Sequence, residues 1–285
     1  MSYYCDLHTH SVYSDGTYTP KEIIAQAKNL GLAVALTDHN TTAGLPEFMA
    51  EAEEYSVNAV PGVELSSVFE KYELHLLGLF IPENKYGEIE SLVGKYRTLK
   101  NESNERLIQH LQNAGFFIDY PTLKSRAPGG NINRANIAAE MVRQGYVPSI
   151  NAAFAGILRE GNGFYVPPER LKLTASIKLL RKIGAVPVLA HPFKQLNEEE
   201  LRSIIPSLLE AGLLGIETVH SSYTASDCRK AARIAEDFGL LQSGGSDFHG
   251  ANSPNITLGI VNGSIAVPYE FFEKLFAKAK TFHCE

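Results

Sequence analysis

The sequence predicts an α/β protein whose sheet is largely parallel and whose chain carries a helical insertion. Three observations predict it. Short β-prone runs alternate with helical patterns over most of the 285 residues. Residues 84–165 keep the helical period but offer no strand-like run. Polar side chains able to bind metal recur where a β-prone run gives way to a loop. About seven β/α units favour a barrel over an open sheet.

Residues 3–7 form the first such run, followed by a loop to Thr19-Pro20 and a helix over 21–30 that Gly31 ends. Residues 33–36 give the next strand and 45–55 the next helix. Two further strands are expected over 58–65 and 73–80. The pattern restarts with strands at 185–190, 215–219 and 240–243, separated by helices near 175–183, 198–211 and 226–238. Phe271, Phe272, Leu275 and Phe276 are the packing stripe of a last helix. In the interruption, Ile89, Leu92, Val93, Tyr96, Leu99, Leu107, Ile108 and Leu111 fall on one helical stripe, and 134–144 and 149–159 read as two more helices. The expected organisation is a barrel of residues 1–83 and 166–285, with 84–165 as a small domain over one end, a substrate lid.

Composition narrows the function. Hydrophobic residues make up 44% and charged residues 20%, too apolar for disorder. With 26 Lys and Arg against 32 Asp and Glu, the net charge of −6 excludes the broad basic surface that long nucleic acid requires. A local basic pocket for one phosphate remains compatible. Cys5, Cys228 and Cys284 are odd in number, far apart and without CxxC spacing, so neither a disulfide framework nor a thiolate zinc site is expected. No basic leader with an apolar core opens the chain, and no apolar run approaches ~20 residues. A cytoplasmic protein without membrane contact is expected.

Among nine histidines, six sit at strand ends. His8 and His10 are two apart, so on an extended chain both rings face one ion, with Asp6 on the same side as a candidate acceptor for a ring N–H. Asp15 follows in SDGT, His39 ends TDH, Glu64 lies in PGVELS, and His75 lies in the fourth strand. His191 opens HPF, and Asp247 and His249 lie in SDFH. Burying so many titratable groups without a cation is costly. Imidazole with hard carboxylate suits Mn²⁺, Fe²⁺ or Zn²⁺.

The motifs DLHTHSVYSDGT, LTDHNTT, PGVELS, HLLGL, LAHP and GSDFH resemble, in order from Asp6 to about Gly250, the PHP (polymerase and histidinol phosphatase) phosphoesterases of the amidohydrolase superfamily. The insertion, with NINRAN and GNGFYVPP, is similar to the stand-alone bacterial branch of nucleoside-bisphosphate phosphatases, 5′–3′ exoribonucleases and a cyclic phosphodiesterase. The resemblance implies a distorted (β/α)₇ barrel and two to three divalent ions, Mn²⁺ foremost. One ion would take His8, His10, Glu64 and Asp247; a second, the bridging Glu64 with His75 and His191; a third, Asp15, His39 and His249. Asp6 and Asp38 would support these ligands. A hydroxide bridging two ions would attack phosphorus, with Asp247, His191 or His249 passing a proton to the leaving alkoxide.

The expected activity is hydrolysis of phosphate mono- or diesters of nucleotides or similar small phosphorylated molecules. The alternatives are a 5′–3′ exonuclease on short RNA or DNA oligonucleotides and a metal-binding module without turnover. Arg134, which opens RANIAAEMV, matches the arginine that the family aims at its metals, and Lys194 in AHPFK stands where many relatives carry Arg. Asn136 replaces their usual His. Arg134, Lys194 and Asn136 are therefore the expected substrate contacts. His220 in ETVHSSYT is either a further substrate contact or a surface residue, and His110 and His283 are expected to be solvated.

Overall fold

The computed structural model describes residues 4–126, 132, 134–261, 264–265 and 267–282. Seven strands form one sheet in chain order: β1 (Tyr4–Asp6), β2 (Leu32–Leu36), β3 (Ala59–Phe69), β4 (Tyr72–Leu79), β5 (Val186–Ala190), β6 (Gly215–His220) and β7 (Leu241–Gly245). β1, β2 and β3 pair in parallel, as do β5, β6 and β7, whereas β4 is antiparallel to both neighbours. The reversal has a local cause. Only Glu70 and Lys71 separate the paired Phe69 and Tyr72, and a parallel crossover needs a dozen residues or more. His75, near the start of β4, therefore lies opposite Ser66 of β3 and Ala190 at the end of β5.

The edge strands meet. Leu7 N–H donates to the Gly244 carbonyl at 3.0 Å, and Asp247 N–H and His10 N–H donate to the carbonyls of His8 and Phe248, both at 2.9 Å. The sheet is thereby a nearly closed seven-stranded barrel. Its seam needs glycine at 245, where a Cβ would strike the Cβ and backbone nitrogen of His8.

The helices in chain order are α1 (Pro20–Leu30), α2 (Leu45–Tyr55), α3 (Tyr86–Asn113), α4 (Tyr120–Arg126), α5 (Arg134–Arg143), α6 (Ile150–Ala155), α7 (Leu173–Lys182), α8 (Glu198–Ala211), α9 (Ala225–Phe238) and α10 (Tyr269–Lys280). Capping boxes start three of them: Thr19 with Glu22, Asn197 with Glu200, and Thr224 with Asp227. Phe272, Leu275 and Ala279 of α10 pack with Cys5, Leu7, Ala33, Val60, Leu77 and Val186 of the barrel.

The chain divides into two compact units, Met1–Glu90 with Leu171–Glu285, and Ser91–Arg170. The second starts and ends a few residues later than 84–165 because the first turn of α3 is held by the barrel unit. Ile89 is buried there, and Glu90 accepts from the Thr41 hydroxyl at 2.8 Å and from the Thr42 N–H at 2.5 Å. On the return, Val68 N–H donates to the Leu171 carbonyl at 2.8 Å. The second unit has its own core, with Leu107, Leu111, Ile137, Met141, Ala153, Leu158 and Tyr165 at its centre. Among the described residues, no helix is long and apolar enough to cross a membrane.

Candidate metal centre

The ends of the strands deliver the polar side chains. His8 and His10 follow β1, His39 follows β2, Glu64 lies within β3, and His75 lies in β4. His191 follows β5, His220 closes β6, and Asp247 and His249 follow β7. Asp15 comes from the loop between β1 and α1. All belong to the barrel unit.

Glu64 is fully buried at the centre and divides its two oxygens. Oε1 lies 2.8 Å from His75 Nδ1 and 2.9 Å from His191 Nε2. Oε2 lies 3.2 Å from Nε2 of both His8 and His10, and 3.0 Å from His39 Nδ1. Asp247 turns Oδ1 to His8 Nε2 at 3.4 Å and His10 Nε2 at 3.2 Å. Its Oδ2 accepts from Lys194 Nζ at 2.8 Å and stands 3.4 Å from His220 Nε2. Asp15 lies 3.2 Å from His249 Nε2, 3.7 Å from His10 Nδ1 and 3.8 Å from His39 Nε2.

Within this cluster, four groups bring one donor atom per residue to within 4.8 Å of one another: His8–His10–Glu64–Asp247, His10–Asp15–His39–His249, His39–Glu64–His75 and His8–His191–His220. The first is one of the ligand sets expected from the resemblance, and the second is another with His10 added. His75 and His191, expected together, fall into separate groups, although both reach Oε1 of Glu64.

A cation fits these donors. His8 Nε2, His10 Nδ1 and Nε2, His39 Nδ1 and Glu64 Oε2 are buried without an aligned hydrogen bond. Within each group the donors stand within 4.8 Å of one another, close enough to share an ion. Left empty, each would carry the desolvation penalty of an unpaired polar group. Among the described residues, the donors are nitrogen and oxygen only. Cys5 lies in the barrel core and Cys228 on α9. That set suits Mn²⁺, Fe²⁺ or Zn²⁺.

The electrostatics are those of a dense buried cluster. Burial is the largest influence on Glu64 and opposes its ionisation, but His39, His8, His75 and His10 together hold its carboxyl well below the usual range. Asp247 is likewise lowered, by His8, His10 and His220 against its burial. Burial pushes His39 down to about 3. For His10 burial is again the largest influence, but Asp247 and Glu64 outweigh it and raise the ring to about 9.

Sequence reasoning missed Glu217. This fully buried residue of β6 accepts from His8 Nδ1 at 3.0 Å with one oxygen and from the His191 backbone N–H at 2.7 Å with the other. It orients the ring so that Nε2 stands beside Glu64 and Asp247. The available signal was a lone acid inside the apolar strand GIETV. Asp6, expected to meet a ring N–H, instead clamps backbone and hydroxyl groups: Ser246 N–H at 2.9 Å, Ser246 Oγ at 2.6 Å and Gly259 N–H at 2.7 Å. Asp38 holds the loop after β1 through Ser11 N–H at 2.7 Å and the hydroxyls of Ser11 and Ser14, both at 2.6 Å. His191 and Asp247 have left-handed backbones, φ 27° and 58°, costly for residues other than glycine and typical of functional sites.

A cavity of about 450 Å³ opens beside the cluster, lined by His39, Glu64, His75, His191, Asp247 and His249 together with Glu73, Lys194, Gln195, Ser221, Ser222 and Ser253. His220 is fully buried, which corrects the surface reading. His110 is half-buried, its Nδ1 bonded to the Phe164 carbonyl at 2.8 Å, so it is not simply solvated. His283 lies outside the described residues. Arg134 and Asn136 belong to the second unit. There the Arg134 guanidinium stacks 4.0 Å over the Tyr165 ring and stands 3.6 Å from Glu160.

Comparison with known proteins gives the same picture. Residues 6–120 match the PHP domain model. The chain is 30% identical to a 5′-3′ exoribonuclease of Haemophilus influenzae, over 86% of this chain and 89% of that protein. It is also 30% identical to a 3′,5′-nucleoside bisphosphate phosphatase of Chromobacterium violaceum, over 86% of each. A solved amidohydrolase from Chromobacterium violaceum, with bound sulfate and no metal, superposes with a TM-score of 0.77 at 28% identity over 96% of each chain. Motif order, barrel and histidine–carboxylate cluster agree with these matches: the chain belongs to the PHP domain family.

Proposed function

We propose that the chain is a divalent-metal-dependent phosphoesterase that hydrolyses nucleotides or similar small phosphorylated molecules. The observation that supports it best is Glu64, one buried carboxylate with an oxygen for each of two sets of imidazoles. His8, His10, Glu64 and Asp247 would hold one ion, Glu64, His75 and His191 a second, and Asp15, His39 and His249 a third, with Mn²⁺ the metal to test first and Fe²⁺ or Zn²⁺ also suited to these donors. Bound there, such ions supply an activated water as nucleophile and offset charge on the phosphoryl oxygens.

The chain's own residues do the rest. Glu217 and Asp247 orient the rings. Lys194, on Asp247 Oδ2 and about one-third exposed, retains donors for a phosphate oxygen at the cavity wall. The proton for the leaving alkoxide would pass through the rings of His191 or His249, which line the cavity beside Asp247, whose own carboxyl the neighbouring rings hold ionised. In the second unit, Arg134 offers a planar fork for two phosphate oxygens, pre-ordered by its stacking on Tyr165. Asn136, two positions on, would tune the leaving group.

The exoribonuclease relative supports a second reading, 5′–3′ trimming of short oligonucleotides through the same cluster. Turnover of nucleoside 3′,5′-bisphosphates and of 5′-phosphorylated oligoribonucleotides, each with Mn²⁺, separates the two. Failure on both, with metal bound, refutes phosphoester hydrolysis of nucleotides.

A further inference from the structure

His220 carries no role in the ligand sets above, yet it is fully buried inside the cluster. Its ring packs edge-on to His191 at 5.1 Å and His8 at 6.0 Å, and one of the four donor groups pairs it with those two residues. That grouping alone would make it a further metal ligand. The other side of the ring argues otherwise. Ser222 presents its backbone N–H to His220 Nδ1 at 3.0 Å and its hydroxyl at 2.8 Å. A backbone N–H can only donate, so Nδ1 must accept and the ring proton must sit on Nε2. A nitrogen that carries a proton has no lone pair for a cation.

Nε2 is buried without an aligned partner and stands 3.4 Å from Asp247 Oδ2, the oxygen that already accepts from Lys194. The opposite oxygen, Oδ1, faces His8 and His10. We infer that His220 is a positioning residue: pinned by Ser222 with its proton on Nε2, it donates to Asp247 Oδ2 and, with Lys194, commits Asp247 to present Oδ1 alone to the metal centre. The inference rests on the metal-centre reading for its purpose. Its central claim, the ring tautomer, does not depend on metal at all.

The test is ¹⁵N NMR of the full chain with labelled histidine, metal-free and loaded with diamagnetic Zn²⁺. His220 signals are those lost in His220→Gln. If that variant does not fold, they are those displaced in Ser222→Ala, which removes the hydroxyl contact and keeps the backbone N–H. The expected result is a bare Nδ1 and a protonated Nε2 in both states. A proton on Nδ1, or loss of the Nε2 proton on adding Zn²⁺, overturns the inference. Calorimetry gives the second reading. His220→Ala should weaken metal binding by roughly ten- to a hundredfold, and His220→Gln, whose amide keeps a donor near Nε2, should recover most of it. Equal losses in the two variants would mark the imidazole itself as a ligand and overturn the positioning role. A wild-type protein that binds no metal would refute the metal centre, while the tautomer measurement would still stand for or against His220.

Discussion

Glu64 cannot give way to its amide without cost, since an NH₂ group in place of either oxygen would face ring nitrogens on one side of the cluster. Glu64→Gln is expected to lower phosphoesterase activity by on the order of 10²-fold or more and to lower bound metal. Asp38→Asn, which touches only the loop hydroxyls and an N–H, should cost less in the same assay. Glu217→Gln keeps the shape but weakens the acceptor behind His8, so metal affinity measured by titration calorimetry should fall by roughly ten- to a hundredfold. The raised His10 gives a sign to the pH dependence. With its ring at about 9, the metal-free protein carries that proton at pH 7, and ligation must release it. Metal affinity should therefore rise with pH towards about 9, with proton release visible in buffers of differing ionisation enthalpy. Constant affinity between pH 7 and 9 would contradict this protonation state. Arg134→Ala should raise KM on the best substrate while bound metal stays unchanged; unaltered kinetics would leave Arg134 with its contacts to Tyr165 and Glu160.

Strand β7 passes so close to β1 at Gly245 that a side chain there must displace His8. Gly245→Ala is expected to destabilise the protein by about 1–3 kcal/mol in denaturant titrations and to reduce metal binding as well. Much of this element-level plan was legible in the sequence, because its signals are local. The pair His8 and His10, the TDH and SDFH segments and the Gly31 and Pro20 punctuation each act within a few residues. What was not legible depends on partners distant in the chain. The direction of β4 follows from a two-residue turn made of Glu70 and Lys71, neither of which is a turn signal, and Glu70 takes a φ of 52° there. Glu217 looked like an ordinary strand residue until His8, 209 positions away, came to meet it. His220 read as ambiguous for the same reason: only the closed barrel shows that Asp247 covers it.

At the scale of the whole molecule, protein purified after growth with Mn²⁺ should retain two to three metal equivalents, and elemental analysis finding under one would remove the multinuclear centre. Ions that bind only the folded chain stabilise it by mass action, about 2.7 kcal/mol at a free concentration 100 times Kd, which a concentration-dependent Tm would report. The seam between β1 and β7 shows where that stabilisation enters. Asp6 and Ser246 meet there across 240 positions of sequence, flanked by His8 and His10 from one end of the chain and Asp247 and His249 from the other. A cation held by both sides is in effect a reversible cross-link closing a loop nearly as long as the protein, the kind of closure whose entropy is dearest to the unfolded chain. Chelation should then act like cutting a hoop. Hydrogen exchange at the seam amides of Leu7, His10 and Asp247 should quicken first, while the amides shared by β5 and β6 stay protected.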